Sequence, residues 1–213
     1  YQNCIKNEGD NFIMSNSIAL YVVNELVRFS DVVNEVFVPS EFVSEIWKKY
    51  ESSYSSTAMN QNNINGKVFE EIIALCLVKM DLMPFYMQAK VAFIPNVNYD
   101  FVLYDEVSPV SLSAKVSLRE RWKQADLEAV ALKYIHRNAR SYVITLNTQE
   151  AAARKSKLGE CMGINDFIVA SSFDFDNLMH QLKNIHFKES PKIDVVTSNI
   201  VINKTTAKVR YNR

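Results

Sequence analysis

Apolar and polar positions along the chain follow helical rhythms in its first third and mixed ones afterwards. Ile18, Leu20, Tyr21, Val22, Leu26, Val27 and Phe29 mark one amphipathic helical stretch. A second begins after Pro39, with Ser40 as N-cap and Phe42, Val43, Ile46 and Trp47 on one face. The polar run 51–65, rich in Ser and Asn, reads as a linker. From Gly66 the apolar positions thicken, and residues 68–83 predict a long helix that Pro84 ends. Three strand-like runs follow, at 87–94, 99–104 and 110–116. The joins at 95–98 and 105–109 are short enough for hairpins, so these strands are expected to be antiparallel neighbours.

A second long helix is predicted over 118–136, with Ser117 and Glu120 as an S-x-x-E capping box. Strand 141–146, helix 149–158, strand 167–170 and helix 174–184 come next, and the strand–helix–strand portion is of the parallel type. After residue 191 the chain is basic and extended, with strand character at Val195, Val196, Ile200 and Val201. The order of helix, three-strand meander, helix, strand, helix, strand predicts an α/β sandwich with a mixed central sheet. Three segments are expected: N-terminal helices at 1–60 for support or dimerisation, a core at 64–190, and a basic extension at 191–213.

Composition narrows the class. Of 213 residues 48% are hydrophobic and 23% charged, which excludes a disordered chain. No apolar run reaches the roughly 20 residues of a membrane helix, so no membrane partner is expected. Cys4, Cys76 and Cys161 have no paired spacing and read as free thiols, Cys76 in the core. His136, His180 and His186 form no zinc-binding arrangement. The 24 basic and 24 acidic side chains cancel, but unevenly along the chain. Residues 1–50 hold four basic against seven acidic side chains, whereas 115–140 and 183–213 hold seven against three and seven against two. A phosphate backbone would find its positive surface in those two segments.

Candidate chemistry lies beside the first of them. Asp100 sits early in the second strand and Ser113-Ala114-Lys115 ends the third, so antiparallel pairing brings them to one sheet edge. An acid there can bind a divalent cation, and a lysine can orient or deprotonate water. Ser113 is a poor ligand for such a cation. Glu128, thirteen residues after Lys115, offers a second carboxylate, and Arg121, Gln124 and Glu128 share one helix face at i, i+3 and i+7. Two acids on a metal with a lysine alongside suit phosphodiester hydrolysis.

This arrangement resembles the PD-(D/E)XK nuclease superfamily. The run Lys115-Val-Ser-Leu-Arg-Glu-Arg-Trp-Lys-Gln-Ala-Asp-Leu-Glu-Ala129 is similar to the signature of EcoRII-type type II restriction endonucleases, in which the second carboxylate has moved to the following helix. Gly66-Lys-Val-Phe-Glu70 is similar to the start of that superfamily's first core helix. The Pro expected before the first Asp is absent, because Tyr99 precedes Asp100. The resemblance implies a restriction-endonuclease-like α/β/α sandwich and Mg2+-dependent, site-specific cleavage of double-stranded DNA. It implies Asp100 and Glu128 as metal ligands, with Ser113, Lys115 and Glu70 completing the catalytic set. It implies Arg119, Glu120, Arg121, Lys123 and Gln124 as the DNA-reading run, with Glu120 on cytosine and Arg121 on guanine. A homodimer in a prokaryotic cytoplasm is the implied setting. A repair or structure-specific nuclease of the same fold and a non-catalytic DNA-binding module are the alternatives.

Several of these residues have simpler readings. Lys115 alone can be a solvated strand-end lysine, Asp105 rivals Asp100 but sits in a hairpin, and Glu120 is accounted for by the capping box. Arg119 and Lys123 can be phosphate contacts or solvated charges. Glu70 competes with Glu71; the buried pattern of Phe69, Ile72, Ile73 and Cys76 puts Glu70 at the edge of the apolar face and Glu71 nearer its opposite side. Tyr134, His136, Arg137 and Arg140 read as a basic helix end that complements the dipole. Lys192, Lys204, Lys208, Arg210 and Arg213 can wrap DNA or serve only as a soluble extension.

Overall fold

The computed structural model describes residues 18–34, 38–54, 61–191 and 195–211. In chain order the elements are α1 (18–26), α2 (Phe29–Asn34), α3 (Pro39–Tyr54), α4 (Gln61–Lys79), β1 (Phe85–Val91), β2 (Tyr99–Leu103) and β3 (Val110–Lys115). They continue with α5 (Arg121–Ile135), β4 (Arg140–Thr145), α6 (Thr148–Lys155), β5 (Asp166–Val169) and α7 (Phe173–Leu182). The chain closes with β6 (Val196–Thr197), β7 (Ile200–Ile202) and α8 (Lys204–Tyr211).

Among the described residues seven strands form one mixed sheet in the order β5-β4-β3-β2-β1-β6, with β7 pairing with β1 as well. The meander β1–β2–β3 is antiparallel and β3–β4–β5 is parallel, as the hairpin joins and the strand–helix–strand pattern require. One face packs Phe85, Met87, Phe101, Leu112 and Ile144 against α3, α4 and α7. The other packs Tyr86, Val102 and Val143 against α5 through Leu132, Ala125 and Ala129. The result is the expected α/β sandwich. Among the described residues no helix is long and apolar enough to cross a membrane.

Several expectations are corrected. The run 51–65 is not all linker, because α3 continues to Tyr54 and α4 starts at Gln61; residues 55–60 lie outside the described ones. Tertiary contact outweighs the weak helix propensity of Asn here: the Tyr50 hydroxyl donates to Asn65 Oδ1 at 2.7 Å. Ser40 is not an N-cap. The helix begins at Pro39, and the Asp176 carboxylate on α7 accepts from the Ser40 amide and hydroxyl, both at 2.8 Å. Arg140 does not end a helix but opens β4.

Glu71 is not solvated: it is 4% exposed and is covered by α8, whose Arg210 pairs with it and whose Tyr211 hydroxyl donates to Glu71 Oε2 at 2.8 Å. An amphipathic pattern read on α4 alone cannot register a helix that arrives 139 residues later. Arg210 thus faces inward, and the C-terminal segment adds two strands and a helix to the core. Lys192, Arg213 and Cys4 lie outside the described residues.

Candidate active site

Register brings the candidate residues together. Phe101 pairs with Leu112, so the next pair along the β2–β3 ladder sets Asp100 against Ser113. Asp100 Oδ2 accepts from Lys115 Nζ at 2.6 Å, from the Ala114 amide at 3.0 Å and from Ser113 Oγ at 3.2 Å. The hairpin therefore fixes the carboxylate from three sides. Asp105 is elsewhere, accepting from the Val107 and Ser108 amides within its turn.

Glu128 reaches the same place from α5. With Asp100 and Ser113 it lines a narrow crevice between α5 and strands β2–β4. Gln124 Nε2 donates to Glu128 Oε1 at 2.8 Å, as their shared helix face requires, and the Tyr99 hydroxyl donates to the Glu128 carbonyl at 2.9 Å.

Glu70 approaches from α4. It is 7% exposed, takes Lys67 Nζ at 2.9 and 3.0 Å on its two oxygens, and accepts from Gln88 Nε2 at 2.7 Å. Gln88 in turn accepts from Asn98 Nδ2 at 2.9 Å. The β1–β2 register sets Gln88 opposite Asp100, and its backbone is left-handed at φ 50°. Face alternation along β1 breaks at this residue: Met87 packs on the α4 side, whereas Ala89 and Val91 join the Tyr86 side. Sheltered left-handed residues of this kind gather at functional sites.

The electrostatics are those of carboxylates crowded around two lysines. Burial, with Asp100 nearby, pushes the Glu70 carboxyl up to about 7 despite the opposing pull of Lys67 and Lys115. Burial also raises Glu128, against its Gln124 hydrogen bond and Lys115. For Lys115 burial disfavours the charge, but Asp100, Glu70 and Glu128 together outweigh it and hold the ammonium above its ordinary range. Lys115 therefore keeps its positive charge beside these carboxylates. Glu70, Asp100 and Glu128 thus bring three carboxylates against Lys67 and Lys115. Among the described residues no group of three or more Asp, Glu, His or Cys side chains is gathered closely enough to hold a metal ion unaided.

The expected DNA-reading run occupies the turn into α5 and its first turn, where Arg119, Glu120, Arg121, Lys123 and Gln124 are all exposed. The capping box does not form. Glu120 makes no side-chain cap and pairs with Lys123, while Glu150 of α6 accepts from the Leu118 and Arg119 amides. Sequence reasoning missed Glu150, although Asn147 and Glu150 carry the same spacing and Asn147 Oδ1 does accept from the Glu150 amide at 3.0 Å. It also missed Gln88, whose signal is one amide among the apolar residues of β1, and Lys67, three residues before Glu70.

No protein-family model matches the chain, and no curated protein matches it in sequence. A solved structure, a restriction endonuclease PspGI–substrate DNA complex, is similar with a TM-score of 0.52 and 19% identity over 84% of each chain. A likeness at that identity concerns the fold, and the chain has a restriction-endonuclease-like fold.

Proposed function

We propose that the chain is a Mg2+-dependent type II restriction endonuclease of the EcoRII-type branch of the PD-(D/E)XK superfamily, hydrolysing double-stranded DNA at a short specific site. The observation that carries this reading is the Asp100–Lys115 pair at neighbouring strand ends, with Glu128 entering the same crevice from the following helix. The fold shared with PspGI, whose structure holds its substrate DNA, supports a DNA substrate here.

Asp100 and Glu128 would hold the metal. Two carboxylates suffice for Mg2+, which keeps several waters and takes further ligands from substrate phosphate. Bound there, it supplies charge neutralisation and an activated water. The chain's own groups do the rest. The Ala114 amide and Ser113 hydroxyl keep the Asp100 carboxylate turned toward the crevice. The Lys115 ammonium donates to the attacking water or the scissile phosphate, and Glu70 draws Lys67 and Gln88 around the site. Arg119 and Lys123 contact phosphates, while Glu120, Arg121 and Gln124 read base edges, Glu120 on cytosine and Arg121 on guanine.

In this reading the nuclease core spans 64–190, residues 1–60 support it or form a dimer contact, and 191–213 is a basic extension whose strands β6 and β7 pair with β1. Cutting both strands of a symmetric site calls for a homodimer. The setting is a prokaryotic cytoplasm. Digestion of a plasmid of known sequence with Mg2+ tests the activity: discrete fragments are expected. A continuous smear would instead indicate a structure-specific or repair nuclease, and site-specific retention without product a binding module.

A further inference from the structure

Within α5 the turn that carries the exposed DNA-reading run has the Arg121 amide donating to the Leu118 carbonyl at 2.6 Å and the Glu120–Lys123 ion pair, but no side-chain cap on its first amides. Glu120 at its N-cap position makes no side-chain cap, and Arg119 is left-handed at φ 36°. A residue with a Cβ keeps such a conformation only where its surroundings over-determine it. Those surroundings come from α6. Glu150 Oε2 accepts from the Leu118 amide at 2.5 Å and lies 3.4 Å from the Arg119 amide. One helical turn further along, the Arg154 guanidinium lies 4.3 Å from the centroid of the Trp122 ring. Trp122 Nε1 has no hydrogen-bond partner among the described residues, so packing and this stacking hold the ring.

The start of α6 is itself fixed to the sheet. Asn147 Oδ1 accepts from the Glu150 amide at 3.0 Å, and Thr145 Oγ1 accepts from the Asn147 amide at 3.2 Å. Thr145, fully buried in β4, also donates to the Val116 carbonyl at 3.4 Å. The backbone from Val116 to Arg119 and the ring of Trp122 are therefore tied to β4 and α6 as well as to their own helix. Because Glu150 caps the turn, the Glu120 carboxylate is released from the role its spacing suggested and stays exposed.

We infer that Glu150 and Arg154 are positioning residues for sequence discrimination, holding the turn between β3 and α5 in the one geometry that presents Glu120 and Arg121 to base edges. The inference rests on the proposed DNA-reading role of this run. Two-point hydrogen bonding to a base edge depends on angle, whereas phosphate contacts tolerate displacement. Loosening the turn thus weakens the cognate complex more than a mismatched one.

The test uses the full chain with Mg2+ on the plasmid-mapped site and on duplexes carrying one substituted base pair. The reading is the ratio of the cognate to the substituted cleavage rate. Glu150→Ala and Arg154→Ala are expected to lower this ratio by about tenfold or more. Glu150→Gln is expected to keep it within about threefold of the unsubstituted chain, since the amide oxygen still accepts. A merely structural role would slow cleavage of all duplexes together, and an unchanged ratio in folded Glu150→Ala and Arg154→Ala overturns the inference. If Glu150→Ala does not fold, the Arg154→Ala ratio decides alone. Discrete fragments with an unchanged ratio remove this inference only. Absence of discrete fragments from the unsubstituted chain removes the functional reading, and this inference with it.

Discussion

Lys115 Nζ lies 2.6 Å from Asp100 Oδ2, across a hairpin that separates the two residues by 15 positions. Their side chains are only 15% and 11% exposed, so each is the other's main compensation for lost hydration. Strand pairing, not sequence proximity, makes this contact, and it sets both the charge of the lysine and the aim of the carboxylate.

Lys115→Ala and Glu128→Ala are each expected to reduce Mg2+-dependent cleavage by about a hundredfold or more, the scale of losing one transition-state contact. Specific DNA binding, measured by gel retardation, should persist. Full cleavage by both variants would sink the site assignment.

Glu70 makes stability depend on pH. Its carboxyl is raised from 4.5 to about 7 in the fold, chiefly by burial, so between those values the folded state binds more protons than the unfolded one. Stability therefore falls as pH rises from 4.5 to 7, with a total penalty on the order of 3 kcal/mol fully present above 7. Glu70→Gln removes this term. Urea unfolding of both proteins at pH 5 and pH 8 should show the variant gaining relative stability at the higher pH; a pH-independent difference would contradict the buried, raised carboxyl.

The α8 anchor should be measurable without DNA. Arg210→Ala leaves the Glu71 carboxylate buried and unpaired, with an expected loss of about 3–5 kcal/mol. Tyr211→Phe removes one buried hydrogen bond to it, a loss of about 1–3 kcal/mol. Thermal unfolding followed by circular dichroism checks both, and wild-type melting of Arg210→Ala would exclude the Arg210–Glu71 pair as an anchor of the C-terminal helix.

The approach of the β5 entry to α5 is equally exacting. Asp126 accepts from the Met162, Gly163 and Ile164 amides, and a Cβ at Gly163 would stand 2.4 Å from the Val130 nitrogen. Gly163→Ala is thus expected to destabilise by about 1–3 kcal/mol through overpacking, and to a lesser degree if α5 shifts. Chemical denaturation reads the value directly.

Much of the fold was legible because its determinants are local. The alternation at 99–104 and 110–116 is the pleat of β2 and β3, the joins were short enough to force hairpins, and the dense apolar run after Val68 is the buried middle of α4. Asp100 and Lys115 could be paired on paper for the same reason: in a hairpin, register follows from the turn. Glu128 followed from helical spacing, now seen in its hydrogen bond from Gln124.

Interactions between distant elements were not legible. Ser117, Glu120 and Ser40 each had the residue type and spacing of a cap, yet Glu150 caps the first turn from 32 positions away and Asp176 the second from 136. A periodic pattern reports which face of an element is apolar; it carries nothing about which foreign carboxylate will arrive to accept its free amides. Glu71 was placed on the wrong side for that reason, since α8 covers it, and the raised Glu70 carboxyl depends on burial and on Asp100 across the sheet. Local pattern specifies elements and short-range pairing, while caps, buried charges and the protonation of the site arise from contacts whose partners meet only when the sheet and helices have packed.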